Sequence, residues 1–212
     1  MATTIRDFSQ LDLNGNYSYA DYLTWKFEQA LELIRGKVFK MAAPSIPHQR
    51  LSWRLTTIID RHFKKHKCEA FASPIDVRLF DRTKSTKADK DIYTVVQPDL
   101  CIICDLKKIE DNRSCLGAPD LIIEILSPGN SKREMKIKKD LYAESGVREY
   151  WVVDPTSETV IRFNVETDGL FGRPLIFVSD EQMPSFIFPD YSLIKIVMKR
   201  NYKFSNSFSQ FL

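Results

Sequence analysis

No stretch of the 212-residue chain approaches the ~20 consecutive apolar residues that span a bilayer. The longest apolar run, Leu121 to Leu126, is broken by Glu124. The opening MATTIRDFSQLDLNGN is polar and lacks the apolar centre of a secretion signal. A cytoplasmic protein with no membrane partner is expected. A large excess of one charge is also missing: the net charge is +3, which neither marks nor excludes a nucleic-acid binder, since phosphate affinity depends on local basic clusters. Cysteines number only four. Cys101 and Cys104 form a Cys-x-x-Cys, but no second pair or following His accompanies them, and on a strand residues three apart face opposite ways. They read as plain buried cysteines. There is no internal repeat and no low-complexity linker.

What is present is the composition of an ordinary globular domain, with 43% hydrophobic and 28% charged residues. Residues 1–17 read as a flexible arm, 18–198 as one domain and 199–212 as a basic, aromatic tail. Ser18 suits the N-cap of a short helix to about Phe27. Leu31–Met41 reads as strand, turn and strand, with Gly36 at the turn. Ser45 and Pro47 open a long helix whose Leu51, Leu55, Ile58, Ile59 and Phe63 recur at helical spacing. Strands are expected at 69–72 and 76–80. A charged surface loop follows at 81–91, then one strand over Val95–Cys104. Leu121–Leu126, a helix over 131–145 and Glu149–Val153 make a parallel strand–helix–strand unit. Further strands are expected at 159–165 and 175–178, with 186–196 returning along one edge.

Glu124 is anomalous, because a lone carboxylate inside Leu-Ile-Ile-Glu-Ile-Leu costs several kcal/mol to bury. It needs a partner, a metal or a cleft. Asp99, after Pro98, can lie beside it on a neighbouring strand, and two carboxylates plus a backbone carbonyl suit a hard cation, Mg²⁺ or Mn²⁺. Asp120 is a poorer companion: four residues along one strand is roughly 13 Å. It reads as a strand-start residue. The helix after Glu124 carries Lys132, Lys136, Lys138 and Lys139, any of which could be merely solvated or could reach back over the sheet. Glu32 is a candidate extra carboxylate. His48 could touch substrate or satisfy a backbone group.

QPDL, then GAPDLIIEILSP, then KKDLYAESGVREYWVVDP resembles the Uma family of putative restriction endonucleases in the PD-(D/E)xK nuclease superfamily. LELIRGKVFKMAAPSIPHQR resembles that family's opening. The likeness covers roughly residues 18–192. It implies an α/β (mixed α+β) fold, a restriction-endonuclease-like central mixed sheet flanked by helices. It matches Asp99 and Glu124 to the motif's two acids, Glu32 to the N-terminal acid and Lys138 to the lysine. The superfamily's usual lysine position, two residues after the second acid, is Leu126 here. The implied activity is metal-dependent hydrolysis of phosphodiester bonds, of DNA by expectation. Catalysis would rest on Asp99, Glu124, Lys138 and Glu32. The metal would sit on Asp99 and Glu124, with the carbonyl of Ile125, and His48, Arg50, Lys132 and Lys136 would meet the substrate. Double-strand cleavage needs two sites, which suits a homodimer. The competing readings are a nuclease fold without catalysis, which the displaced lysine favours, and a protein-interaction module using the aromatic tail.

Overall fold

The computed structural model of the chain describes residues 5–80, 88–127, 132–178 and 181–194. Ser18 caps α1 (Tyr19–Tyr22): its hydroxyl accepts from the Asp21 N–H, and the Asp21 carboxylate accepts from the Ser18 N–H. The helix is one turn long and does not reach Phe27, because Trp25 bridges Ile5 instead. In the segment expected as an arm, Asp7 caps a short 3-10 turn and Leu11 is buried with Tyr19 and Trp25.

β1 (Leu31–Ile34) and β2 (Lys37–Lys40) form the expected hairpin. Its two turn residues, Arg35 and Gly36, both have positive φ (50° and 78°), which matches the right-handed twist of the strands. A Cβ on Gly36 would come within 1.9 Å of the Asn16 side chain, so the glycine is needed twice over. α2 (Ile46–Phe63) starts where Ser45 accepts the His48 N–H. Its Leu51, Leu55, Ile59 and Phe63 repeat every four residues and are all buried. Each contributes about 1.5–3 kcal/mol through burial.

β3 (Glu69–Ala72) and β4 (Val77–Leu79) follow. The run expected as one strand over Val95–Cys104 is two strands, β5 (Thr94–Val96) and β6 (Leu100–Ile103), in different sheets. Pro98 interrupts them, since it has no N–H for a ladder. After β7 (Cys115–Leu116), β8 (Leu121–Ile125) runs parallel to β9 (Glu149–Asp154), and α3 (Lys132–Ser145) connects the two as anticipated. β10 (Thr159–Asn164) and β11 (Leu175–Val178) extend that sheet antiparallel. Among the described residues, the strand expected over 186–196 is confined to Ser192–Ile194. β12 (Gln182–Pro184) pairs with β13 (Ser192–Ile194) in a separate hairpin, its loop held by the buried Glu149 carboxylate, which accepts from Ser185, Phe186 and Ile187. Residues 81–87 of the charged loop and the tail 199–212 lie outside the described residues.

The fold is thus a mixed α/β assembly with two main sheets, ordered β2-β1-β5-β4-β7 and β11-β10-β9-β8-β6-β3. Strand alternation divides the core. Leu121, Ile123 and Ile125 of β8 pack with Leu51, Leu55 and Ile59 of α2. Ile122 faces the other way, joining Leu141 and Tyr142 of α3 and Val77 and Val96 of the five-stranded sheet. Glu124 has the parity of Ile122, so its side chain enters the layer between the two sheets.

The four cysteines are not all free. Cys68 and Cys104 form a disulfide, while Cys101 and Cys115 are free and buried, with burial pushing both thiols upward. The register explains the pairing: Glu69 stands opposite Ile103, so Cys68 and Cys104 face each other across β3 and β6. Among the described residues no helix is long and apolar enough to cross a membrane.

Candidate active site

The site lies where β5 hands the chain over to β6. Asp99 stands immediately before β6, and its Oδ2 accepts the Ile125 N–H at 2.7 Å. That bond ties the head of β6 to the end of β8, one residue past Glu124. His48, in the first turn of α2, places Nε2 3.1 Å from each Asp99 oxygen. This hydrogen bond pushes the imidazole's pKa up. Burial opposes the shift, and the charges of Asp99 and Glu124 reinforce it.

Glu32 comes from the other sheet. Leu31 and Leu33 pack outward with Trp25, so by alternation Glu32 faces the interlayer with Ile34. It is buried, and its Oε1 accepts the Gln97 backbone N–H at 3.1 Å. Lys138 of α3 joins the two sheets: its Nζ lies 2.9 Å from Glu32 Oε1 and 2.9 Å from Glu124 Oε1. Tyr142, one helical turn further, donates to Glu124 Oε1 at 2.6 Å.

These bonds leave a surplus of negative charge. Burial pushes the Glu124 carboxyl up to about 7; Lys138 pulls it down, but Asp99 and Glu32 push it up again. Burial alone would push the Lys138 ammonium down, but the Glu124 and Glu32 carboxylates outweigh it and hold it well above the ordinary lysine range. The two upward shifts agree: three carboxylates share one ammonium and one imidazole, so each nearby proton is held tightly. The Tyr142 hydroxyl is also pushed well up, by burial first and by Glu124 second, and remains a donor.

Among the described residues no three His, Cys, Asp or Glu side chains already form a ligand sphere. The donor chemistry still suits a hard cation: the acids are oxygen donors, and a divalent charge would offset the surplus that lifts Glu124. Asp99, Glu124, Glu32, Lys138 and His48 are therefore brought together. Arg50 and Lys136 are exposed on α2 and α3, apart from this cluster, and the Lys132 side chain lies outside the described residues. Asp120 is structural: its carboxylate accepts from the Cys104 N–H and from Arg148. Sequence reasoning missed the bond from Tyr142 to Glu124. It missed Gln97 altogether, whose side-chain amide donates to Asp76 at 2.8 Å beside the Glu32 contact. Its one sequence signal was its place before Pro98-Asp99.

Comparison with known proteins identifies the family and the fold. A crystal structure of a putative nuclease belonging to DUF820 from Anabaena variabilis superposes with a TM-score of 0.64 at 22% identity, covering 82% of this chain and 92% of that one. An uncharacterized protein of Synechocystis sp. is 29% identical over 140 residues, which span 64% of this chain and 73% of that protein. The model of the Uma2 family, described as "Putative restriction endonuclease", matches residues 19–194. The chain belongs to the Uma2 family, and its fold is that of a restriction-endonuclease-like nuclease.

Proposed function

We propose that the chain is a metal-dependent endonuclease that hydrolyses phosphodiester bonds of DNA, with Asp99, Glu124, Lys138 and Glu32 as its catalytic residues. One observation carries this: a single ammonium, Lys138, bridges Glu32 of one sheet and Glu124 of the other, beside an Asp99 fixed from two sides. Asp99 and Glu124, with the Ile125 carbonyl, would hold Mg²⁺ or Mn²⁺, and Glu32 would add a further carboxylate. Such an ion, when bound, lowers the pKa of a water and offsets charge on the phosphate. Before the ion binds, Glu124, at about 7, holds its proton up to neutrality, and the ion would displace that proton. Lys138 stays charged and can donate to the attacking water or a phosphate oxygen. His48 keeps Asp99 oriented. The exposed Arg50 and Lys136, with Lys132, would meet the phosphate backbone, so binding weakens with salt. The working unit takes in residues 18–198 together with the segment from Ile5 that packs on it, acting in the cytoplasm, and a homodimer would supply one site per strand of a duplex.

The second reading is a nuclease fold that binds without cutting. It is favoured by Lys138 already being engaged by two carboxylates. The test is incubation with supercoiled plasmid and single-stranded DNA under Mg²⁺, Mn²⁺ or EDTA, beside Asp99→Asn and Glu124→Gln. Nicking that needs the metal and both acids is expected. DNA retention without cleavage under any metal would select the second reading.

A further inference from the structure

At the end of the β3–β6 pair remote from Asp99, the chain walls a cavity of about 300 Å³ whose lining includes His66, Lys67, Cys68, Cys104, Arg148 and Asp190. Two features coincide there. The Cys68–Cys104 disulfide forms part of the wall, with Cys68 buried and Cys104 partly exposed. The polar lining carries two exposed cations, Lys67 and an Arg148 paired to Asp120 at 3.1 Å, and His66 accepts the Cys68 N–H through Nδ1. The one acid, Asp190, lies 3.7 Å from His62. A disulfide that serves only to staple a fold gains nothing from lining a solvent-open, basic hollow.

We propose that this cavity admits a small anionic thiol of the glutathione class, and that Cys68–Cys104 is its exchange site. The thiolate attacks the sulfur of Cys104, the less buried of the pair. The Cys68–Cys104 bond breaks, and its electron pair leaves on Cys68 as a thiolate beside the basic His66–Lys67 stretch. A second small thiolate attacks the sulfur of the bound small thiol and releases Cys104 as a thiolate. The protein gains two electrons, and two small thiols become one small disulfide. The strand pair so released leads to the active site: Ser73, following β3, donates its N–H to the Asp99 carbonyl at 3.0 Å, and Cys104 donates its N–H to Asp120 at the head of β8.

The test uses the full chain, prepared without reductant. After denaturation and alkylation, intact mass should show two modified cysteines, Cys101 and Cys115; four would overturn the proposal. Reduction of the folded protein is then timed with glutathione and with the cationic thiol cysteamine. Lys67→Glu, a change at an exposed position, should slow glutathione roughly threefold or more and leave cysteamine equal or faster, each relative to wild type. Raising the salt on wild type should slow glutathione and not cysteamine. Equal responses of the two thiols in both experiments would overturn the proposal.

Discussion

Glu124→Gln should stabilise the metal-free protein, and by an amount that depends on pH. The ordinary glutamate value is 4.5, and burial among Asp99 and Glu32 lifts Glu124 to about 7 in the fold. The folded state therefore holds this proton more tightly than the unfolded chain. Below pH 4.5 the carboxyl is neutral in both states and costs nothing. As pH rises from 4.5 to 7 the unfolded chain ionises first, and stability is lost; above 7 the loss is complete. The interval corresponds to about 3 kcal/mol. Glutamine mimics the protonated form, so its advantage over wild type should grow by that amount between pH 5 and pH 8.5. For a domain of this size that is about 6–12 °C in Tm. The assay is thermal unfolding in EDTA across that range. The pull of Lys138 on the ionised carboxylate is already contained in that value, and exchanging the neutral acid for the amide adds a pH-independent constant, so the slope is what matters. A wild-type-to-Gln difference that stays flat from pH 5 to 8.5 would refute the claim that this site stores carboxylate repulsion.

Tyr142→Phe removes a donor that stabilises ionised Glu124, so the pH at which a divalent ion half-saturates the site should move upward, read by calorimetry at several pH values. Glu149→Ala leaves the Trp151 indole, the Ser185 hydroxyl and two backbone N–H groups without their buried acceptor. At about 1–3 kcal/mol for each of these four unsatisfied groups, at least about 4 kcal/mol should be lost, seen as a lower urea midpoint. Ser45→Ala uncaps α2 and should cost about 1 kcal/mol, a Tm change of about 2–4 °C, with the fold otherwise retained by circular dichroism.

How far the sequence could be read depended on range. The helical spacing of Leu51, Leu55, Ile59 and Phe63 and the run Leu121–Leu126 around Glu124 are local patterns, and both elements lie where those patterns put them, the strand ending at Ile125. Glu124 stood out because a charge inside an apolar strand is costly in any fold. Spacing left Lys138 level with its neighbouring lysines, because the phase of α3 against the sheet is not contained in composition, and only the family resemblance singled it out. The break at Pro98 was signalled, but the residues on both sides are equally apolar, so the run looked continuous. Nothing local says that Val96 and Leu100 belong to different sheets. The Cys68–Cys104 pairing, across 36 residues, needs the β3–β6 register before it becomes visible.

The split at Pro98 also makes the candidate site a gauge of how the two sheets are seated. Glu32 rides on one slab, Asp99 and Glu124 on the other, and Lys138 touches one carboxylate of each. The distance between these jaws is set by the shim of apolar side chains between them, among them Ile34, Val96 and Ile122. Thinning that shim by one methyl group, with every acid left in place, would change the spacing between Glu32 and Glu124. Tolerance to core substitution should therefore be narrower in this layer than under α2, where the same loss of volume leaves the jaws unmoved.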